Sequence, residues 1–357
     1  MSVNLTRRAL LGTAAAIGAG AAVKARAQTP TRAGWVYVGP VGDFGYSYQH
    51  DLGRKDVEKH FGDQVKTTFV ENVSEGPDAE RVIRQLAASG NDIVFTTSFG
   101  FMNPTVRVAK QFPKVMFEHA TGYQTLPNLA VYNARFYEGR AVIGTIGGHM
   151  CKSGIVGYIG SFPIPEVVMG INAFTLAAQK IQPDIQIKVV WVNSWYDPGK
   201  EADAAKTLID QGADIIAQHT DSPAALQVAE ERGVHAFGQS SDMRKFAPNA
   251  QLTAIVDDWG PYYIERVQAI IDGTWETHSV WYGLKEGMVE IAPYGPDVPP
   301  DVAEAADRVK EGIISGELHP FDGPVYDQSG ELRVPEGQHL SDEELLKMDW
   351  YVKGVQA

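Results

Sequence analysis

From residue 35 onward, short apolar runs alternate with longer segments whose apolar residues recur every three or four positions. The runs at 35–38, 67–70, 92–97 and 115–118 predict buried strands, and the segments near 49–61, 77–90 and 103–112 predict the helices between them. This βαβα order implies a parallel sheet covered by helices. The pattern then repeats. Residues 86–94 (LAASGNDIV) match 208–216 (LIDQGADII), each a helix closed by a glycine and followed by a buried strand. Residues 109–115 (AKQFPKV) and 229–234 (AEERGV) repeat the next helix, break and strand in the same order. Two recurring units imply two duplicated lobes.

The apolar strand at 155–160 follows Lys152-Ser153-Gly154, which places a first hinge crossing there. A strand at 252–256 leading into a helix near 260–272 predicts a return crossing, and 280–284 a third. The expected lobes are therefore 30–152 with about 258–280, and 153–257 with about 281–357. The Pro-, Gly- and acid-rich end wraps the surface around a helix near 301–315.

Residues 1–27 change the picture of where the chain works. Arg7-Arg8, the small apolar run from Leu11 to Val23, and Ala25-Arg26-Ala27 have the order of a cleaved export signal, and the arginine pair points to the twin-arginine route. The apolar run is far below the ~20 residues of a membrane-spanning helix. No cysteine stands at the cleavage point to take a lipid, and Cys151, the single cysteine, cannot form an internal disulfide. A soluble periplasmic monomer without a lipid anchor is expected. Loss of Arg7, Arg8, Lys24 and Arg26 would leave 27 basic against 44 acidic residues, a net charge of −17. Such a chain is a poor partner for nucleic acid or anionic lipid.

In parallel α/β sheets, ligands sit beyond the carboxyl ends of the strands. In the first lobe those ends carry Phe44, Tyr46, Ser47, Asn72, Ser98, Phe99, His119 and Thr121. In the second they carry Trp195, His219, Asp221, Ser240, Asp242, Asp257 and Trp259. Aromatic rings with acids and hydroxyls, and almost no Lys or Arg, suit a flat neutral ligand that offers N–H donors. They do not suit phosphates or carboxylates. Sugars also stack on aromatic rings and remain a rival. So does a plainer role for the acids, since Asp221 and Asp257 each precede a helix and fit N-caps.

Beyond these residues the chain resembles the basic membrane protein family of ABC-importer solute-binding proteins. The resemblance rests on Phe136-Tyr137-Glu138-Gly139-Arg140-Ala141, Asp197-Pro198-Gly199-Lys200, Gln211-Gly212-Ala213-Asp214-Ile215-Ile216, Gly238-Gln239-Ser240-Ser241-Asp242, and Leu284-Lys285-Glu286-Gly287 running into Ala292-Pro293-Tyr294. It implies a two-lobed type I periplasmic-binding-protein fold, a membrane permease as partner, no cofactor, and a purine base or nucleoside as ligand. By resemblance Tyr46 stacks on the base, Ser47 stands where the family has asparagine, Trp195 forms the opposite wall and Asp242 meets ribose hydroxyls. Asp257 takes the place of a ribose-binding lysine, which tilts the expectation toward a free base such as adenine or guanine. An enzyme is the first rival, but there is no Gly-x-Ser-x-Gly elbow or phosphate-binding glycine loop, and His119 and His219 lack metal-ligand spacing. A ligand-sensing accessory protein for a membrane receptor is the second, with the same fold and site.

Overall fold

The computed structural model describes residues 29–357, so the export-signal segment 1–27 lies outside the described residues. β1 (Thr31–Val36), β2 (Val65–Val70), β3 (Ile93–Thr96), β4 (Met116–Ala120) and β5 (Leu129–Ala134) form a parallel sheet ordered β2-β1-β3-β4-β5. Every residue of β3 and β5 is buried, as expected of strands covered on both faces, whose sequences run apolar without alternation. α1 (Gly45–Phe61), α2 (Pro77–Ala88) and α3 (Met102–Gln111) connect them.

After α4 (Phe136–Met150), the chain builds the same arrangement again. β6 (Ile155–Gly160), β7 (Gln186–Trp191), β8 (Ile215–His219), β9 (His235–Gly238) and β10 (Gln251–Asp257) pair in the order β7-β6-β8-β9-β10. α5 (Pro165–Gln179), α6 (Pro198–Asp210) and α7 (Ala224–Arg232) link the first four of these strands. The repeated sequence units are structural equivalents: α2 into β3 matches α6 into β8, with Gly90 and Gly212 at φ 85° and 97° after their helices. A left-handed residue there favours glycine, which has no Cβ to clash.

The first crossing differs from the sequence reading. α4 packs on α5 and belongs to the second lobe, so the first crossing lies between Ala134 and Phe136 and not at 152–155. The glycines of α4 explain the contact: a Cβ on Gly144 would stand 2.4 Å from the Phe174 carbonyl oxygen, and one on Gly148 2.7 Å from that of Ala178. α8 (Gly260–Asp272) returns to pack on α1, and β11 (Ser279–Tyr282) extends the first sheet parallel to β5. The third crossing therefore follows Tyr282, inside the expected 280–284. β12 (Val289–Ile291) then joins β10 antiparallel.

The C-terminal segment carries α9 (Pro300–Ser315), the β13 (Val325–Tyr326) and β14 (Leu332–Val334) pair, α10 (Asp342–Leu345) and β15 (Val355–Gln356), which extends the second sheet beside β7. It also reaches the hinge, where Asp342 accepts from both terminal nitrogens of Arg135 at 2.7 and 2.6 Å.

The first lobe is held by a stacked Trp35–Phe95 pair, 4.6 Å between centroids, and by a buried carboxylate. Glu118 is fully buried and accepts from Arg266 Nε, Trp275 Nε1 and the Tyr262 hydroxyl at 2.6–2.7 Å. These bonds tie β4 to α8 and the loop after it.

Candidate functional site

The carboxyl ends of both sheets meet across a cleft at the hinge. Among the described residues, the non-glycine residues with positive φ are Asn72, Thr121, Asn193 and Ser240, at 51–61°. Each follows a strand, and they form two equivalent pairs: Asn72 and Asn193 after β2 and β7, Thr121 and Ser240 after β4 and β9. Left-handed backbone is costly for side chains other than Gly, Asn and Asp, and such strain gathers at functional sites. Thr121 and Ser240 line the cleft cavity, while Asn72 and Asn193 line the groove at its mouth.

The cavity places Tyr46, Phe99 and Thr121 of the first lobe opposite Glu166, Trp195, His219, Asp221, Gln239 and Ser240 of the second, with Phe136 at the crossing. Its space is about 30 Å³, the share of a single water, so the walls have closed on one another. Contacts between the lobes hold this form. Lys245 pairs with Asp43, Gly45 N donates to Ser241 Oγ at 2.7 Å, and Trp195 Nε1 donates to Glu75 Oε1 at 3.1 Å. The same Glu75 oxygen accepts from Ser98 Oγ and Gly100 N, so it fastens the Trp195 wall to the first lobe. Ring-sized ligands must enter as the lobes part about the hinge.

The chemistry is acceptor-rich. No Lys or Arg lines the cavity. Burial, with Glu201 and Glu166 adding to it, pushes the Asp221 carboxyl well above the usual carboxylate range, although the Tyr46 backbone opposes the shift. His219 Nε2 lies 3.5 Å from Glu166, and burial holds its ring below the ordinary imidazole range, so it is neutral at pH 7 despite that partner. Gln239 is held from behind: the fully buried Arg140 donates to its carbonyl oxygen, and its own amide donates to Ser240 Oγ at 3.1 Å.

Of the residues singled out from sequence, Tyr46, Phe99, Trp195 and Asp221 line the cavity. Ser47 is turned inward, its hydroxyl accepting from Gly39 N at 3.2 Å. Phe44 lies at the interface of the lobes, edge-on to Phe246 at 5.2 Å and beside Tyr196. Trp259 is fully buried and stacks on His50 at 4.4 Å, supporting Tyr46 from below. Asp242 is not brought to the cavity: it is exposed, accepting from Gln251 Nε2 at 2.7 Å and from Arg244 N.

Asp257 stands one layer behind Ser240, 1 % exposed, and neither carboxylate oxygen meets a donor in hydrogen-bonding geometry. Burial drives its pKa well up. Ser240 and Arg140 oppose the shift, while Asp221 and Glu166 add to it. Neither Asp221 nor Asp257 caps a helix; it is Asp258 Oδ1 that accepts from Gly260 N at the start of α8.

Phe136, Glu166 and Gln239 were not singled out as site residues. Phe136 sits at the crossing that was misplaced, within a segment read as first-lobe helix. Glu166 opens α5 after β6, the one strand end of the second lobe passed over, although β6 is central to its sheet. His119, another strand-end residue, is buried against Thr96 Oγ1 at 2.8 Å. No group of three metal-ligating side chains occurs among the described residues.

The geometry agrees with what known proteins show. A family model described as an ABC transporter substrate-binding protein, PnrA-like, matches residues 31–319. A purine-binding protein of Brucella abortus is 58% identical over 93% of this chain and 94% of its own length. A Haloferax volcanii protein, provisionally assigned as an ABC-transporter glucose-binding protein, is 37% identical over 91% of this chain and 80% of its own. A solved solute-binding protein of Aeropyrum pernix shares the fold with a TM-score of 0.70 at 17% identity, covering 83% of this chain and 94% of that one. With two matching sheets, a hinge of three crossings and a cleft between them, the chain belongs to the PnrA-like (Bmp) family of ABC-transporter substrate-binding proteins, whose work is solute capture.

Proposed function

We propose that this chain captures a purine, as the free base, between Tyr46 and Trp195 and delivers it to a membrane permease. The observation that carries the reading is the cavity itself: aromatic walls from both lobes, with Asp221 and Glu166 as acceptors and no basic side chain on the lining. A purine base offers two flat faces to the rings and N–H groups to the carboxylates. The 58% identity to a protein named for purine binding supports the same ligand class. A monosaccharide is the second reading, favoured by the relative assigned to glucose. A purine is favoured over it because aromatic rings from both lobes line the cavity and match the two flat faces of a base.

The test is a thermal-shift screen of adenine, guanine, hypoxanthine, adenosine, uracil and glucose, followed by calorimetry. Ligand bound to the native state raises stability by RT ln(1 + [L]/Kd). Purine bases raise Tm, and Tyr46→Ala and Trp195→Ala each cost about 1–3 kcal/mol of binding, the usual worth of one stacked base. Absence of a shift with any purine, or purine affinity that survives both substitutions, overturns the reading. Residues 1–27 act as a cleaved twin-arginine signal that delivers an unlipidated monomer to the periplasm. N-terminal sequencing of the exported protein, expected to begin at Gln28, checks the cleavage.

A further inference from the structure

Behind the cleft lies a second space of about 130 Å³, larger than the closed cavity and continuous with it past Phe99, Thr121, Phe136 and Glu166. Its own walls are Ala134, Met169, Trp281 and, at the rim, Leu346 of the C-terminal segment. Three polar groups on these walls already have partners within the protein. Thr121 Oγ1 donates to the Ala120 carbonyl at 2.7 Å, Asn133 Nδ2 to that of Gly122 at 3.2 Å, and the Tyr137 hydroxyl accepts from Arg135 at 2.8 Å. Most of the surface facing the chamber is apolar, with Glu166 at the junction.

We propose that this chamber is a subsite for a compact apolar substituent carried on an exocyclic nitrogen of the bound ring. The inference rests on the purine reading above. The amino N–H donates to Glu166 while its alkyl group passes between Phe99 and Phe136. About four groups of water size fill the volume. The ligand class is therefore aminopurines that carry a compact alkyl group, of up to about four carbons, on that nitrogen.

Calorimetry with adenine, 6-methylamino-, 6-propylamino- and 6-butylaminopurine, and adenosine tests this on the wild type and on Ala134→Leu, which fills the chamber from β5. In the wild type, affinity rises about fourfold per methylene, the usual gain for a buried CH2. Ala134→Leu leaves adenine within about threefold and abolishes the alkyl gain. Should the buried Ala134 site not tolerate leucine, Leu346→Trp blocks the chamber from its exposed rim and carries the same expectation. Alkylpurines that bind no tighter than adenine overturn the subsite. So does adenosine that binds more tightly than all of them, or a filled chamber that weakens adenine as much as the butyl analogue. If adenine itself gives no heat, the purine reading falls and the subsite with it. If adenine binds and the alkyl series is flat, the subsite alone is lost.

Discussion

Asp257 is a carboxylate that the protein holds at a cost. It is 1 % exposed and neither oxygen meets a donor in hydrogen-bonding geometry, with Asp221 and Glu166 adding negative charge nearby and Ser240 and Arg140 only partly opposing them. A buried polar group left unsatisfied costs about 1–3 kcal/mol, more when it is charged. Asp257→Asn keeps the shape and removes the charge, so at pH 7 it is expected to stabilise the ligand-free protein by about 1–3 kcal/mol, a rise of a few degrees in Tm. The pH dependence gives the sharper signature. The folded pKa lies above the unfolded one, so across that window the native state binds more protons than the unfolded chain, and wild-type stability falls as pH rises from about 4. Near pH 4 the native carboxyl is protonated and the unfolded one about half so, and the variant gains little; toward pH 7 the gain grows. Denaturant melts of both proteins at pH 4, 5.5 and 7 read this directly. A variant less stable than wild type at pH 7, or a gain of equal size at pH 4 and 7, refutes the reasoning.

Asp221 lines the cavity with its pKa raised mainly by burial, and an N–H donor binds best to its ionised form. Purine affinity should therefore fall as pH drops through that raised pKa, with proton release on binding in the same window. Calorimetry in two buffers of different ionisation enthalpy measures it, and identical heats would count against Asp221 as the acceptor. Glu75→Gln weakens the bond that fastens Trp195 to the first lobe. Because that bond is exposed, purine release should quicken by only about two- to fivefold, with association unchanged. Stopped-flow following tryptophan emission checks it, and an unaltered release rate removes Glu75 as a latch.

The sequence by itself determined the two lobes, because buried parallel strands and glycine-closed helices leave a local pattern that can be matched between halves, as 86–94 with 208–216. It also determined the aromatic and acidic character of the cleft, since strand ends are legible wherever strands are. Tyr46, Phe99, Trp195 and Asp221 came from that rule alone. Only the tertiary structure decided which lobe α4 belongs to, because its apolar, Gly-rich sequence says that it is buried but not against what, and the contact of Gly144 and Gly148 with α5 is long-range. That one placement moved the hinge to Ala134–Phe136 and brought Phe136 into the site. The acids were sorted in the same way: Asp221, Asp242 and Asp257 all follow strands, yet one faces the cavity, one faces solvent and one is sealed behind Ser240. Position after a strand is set by local chain order, whereas the direction a side chain faces depends on the register and packing of elements far apart in sequence.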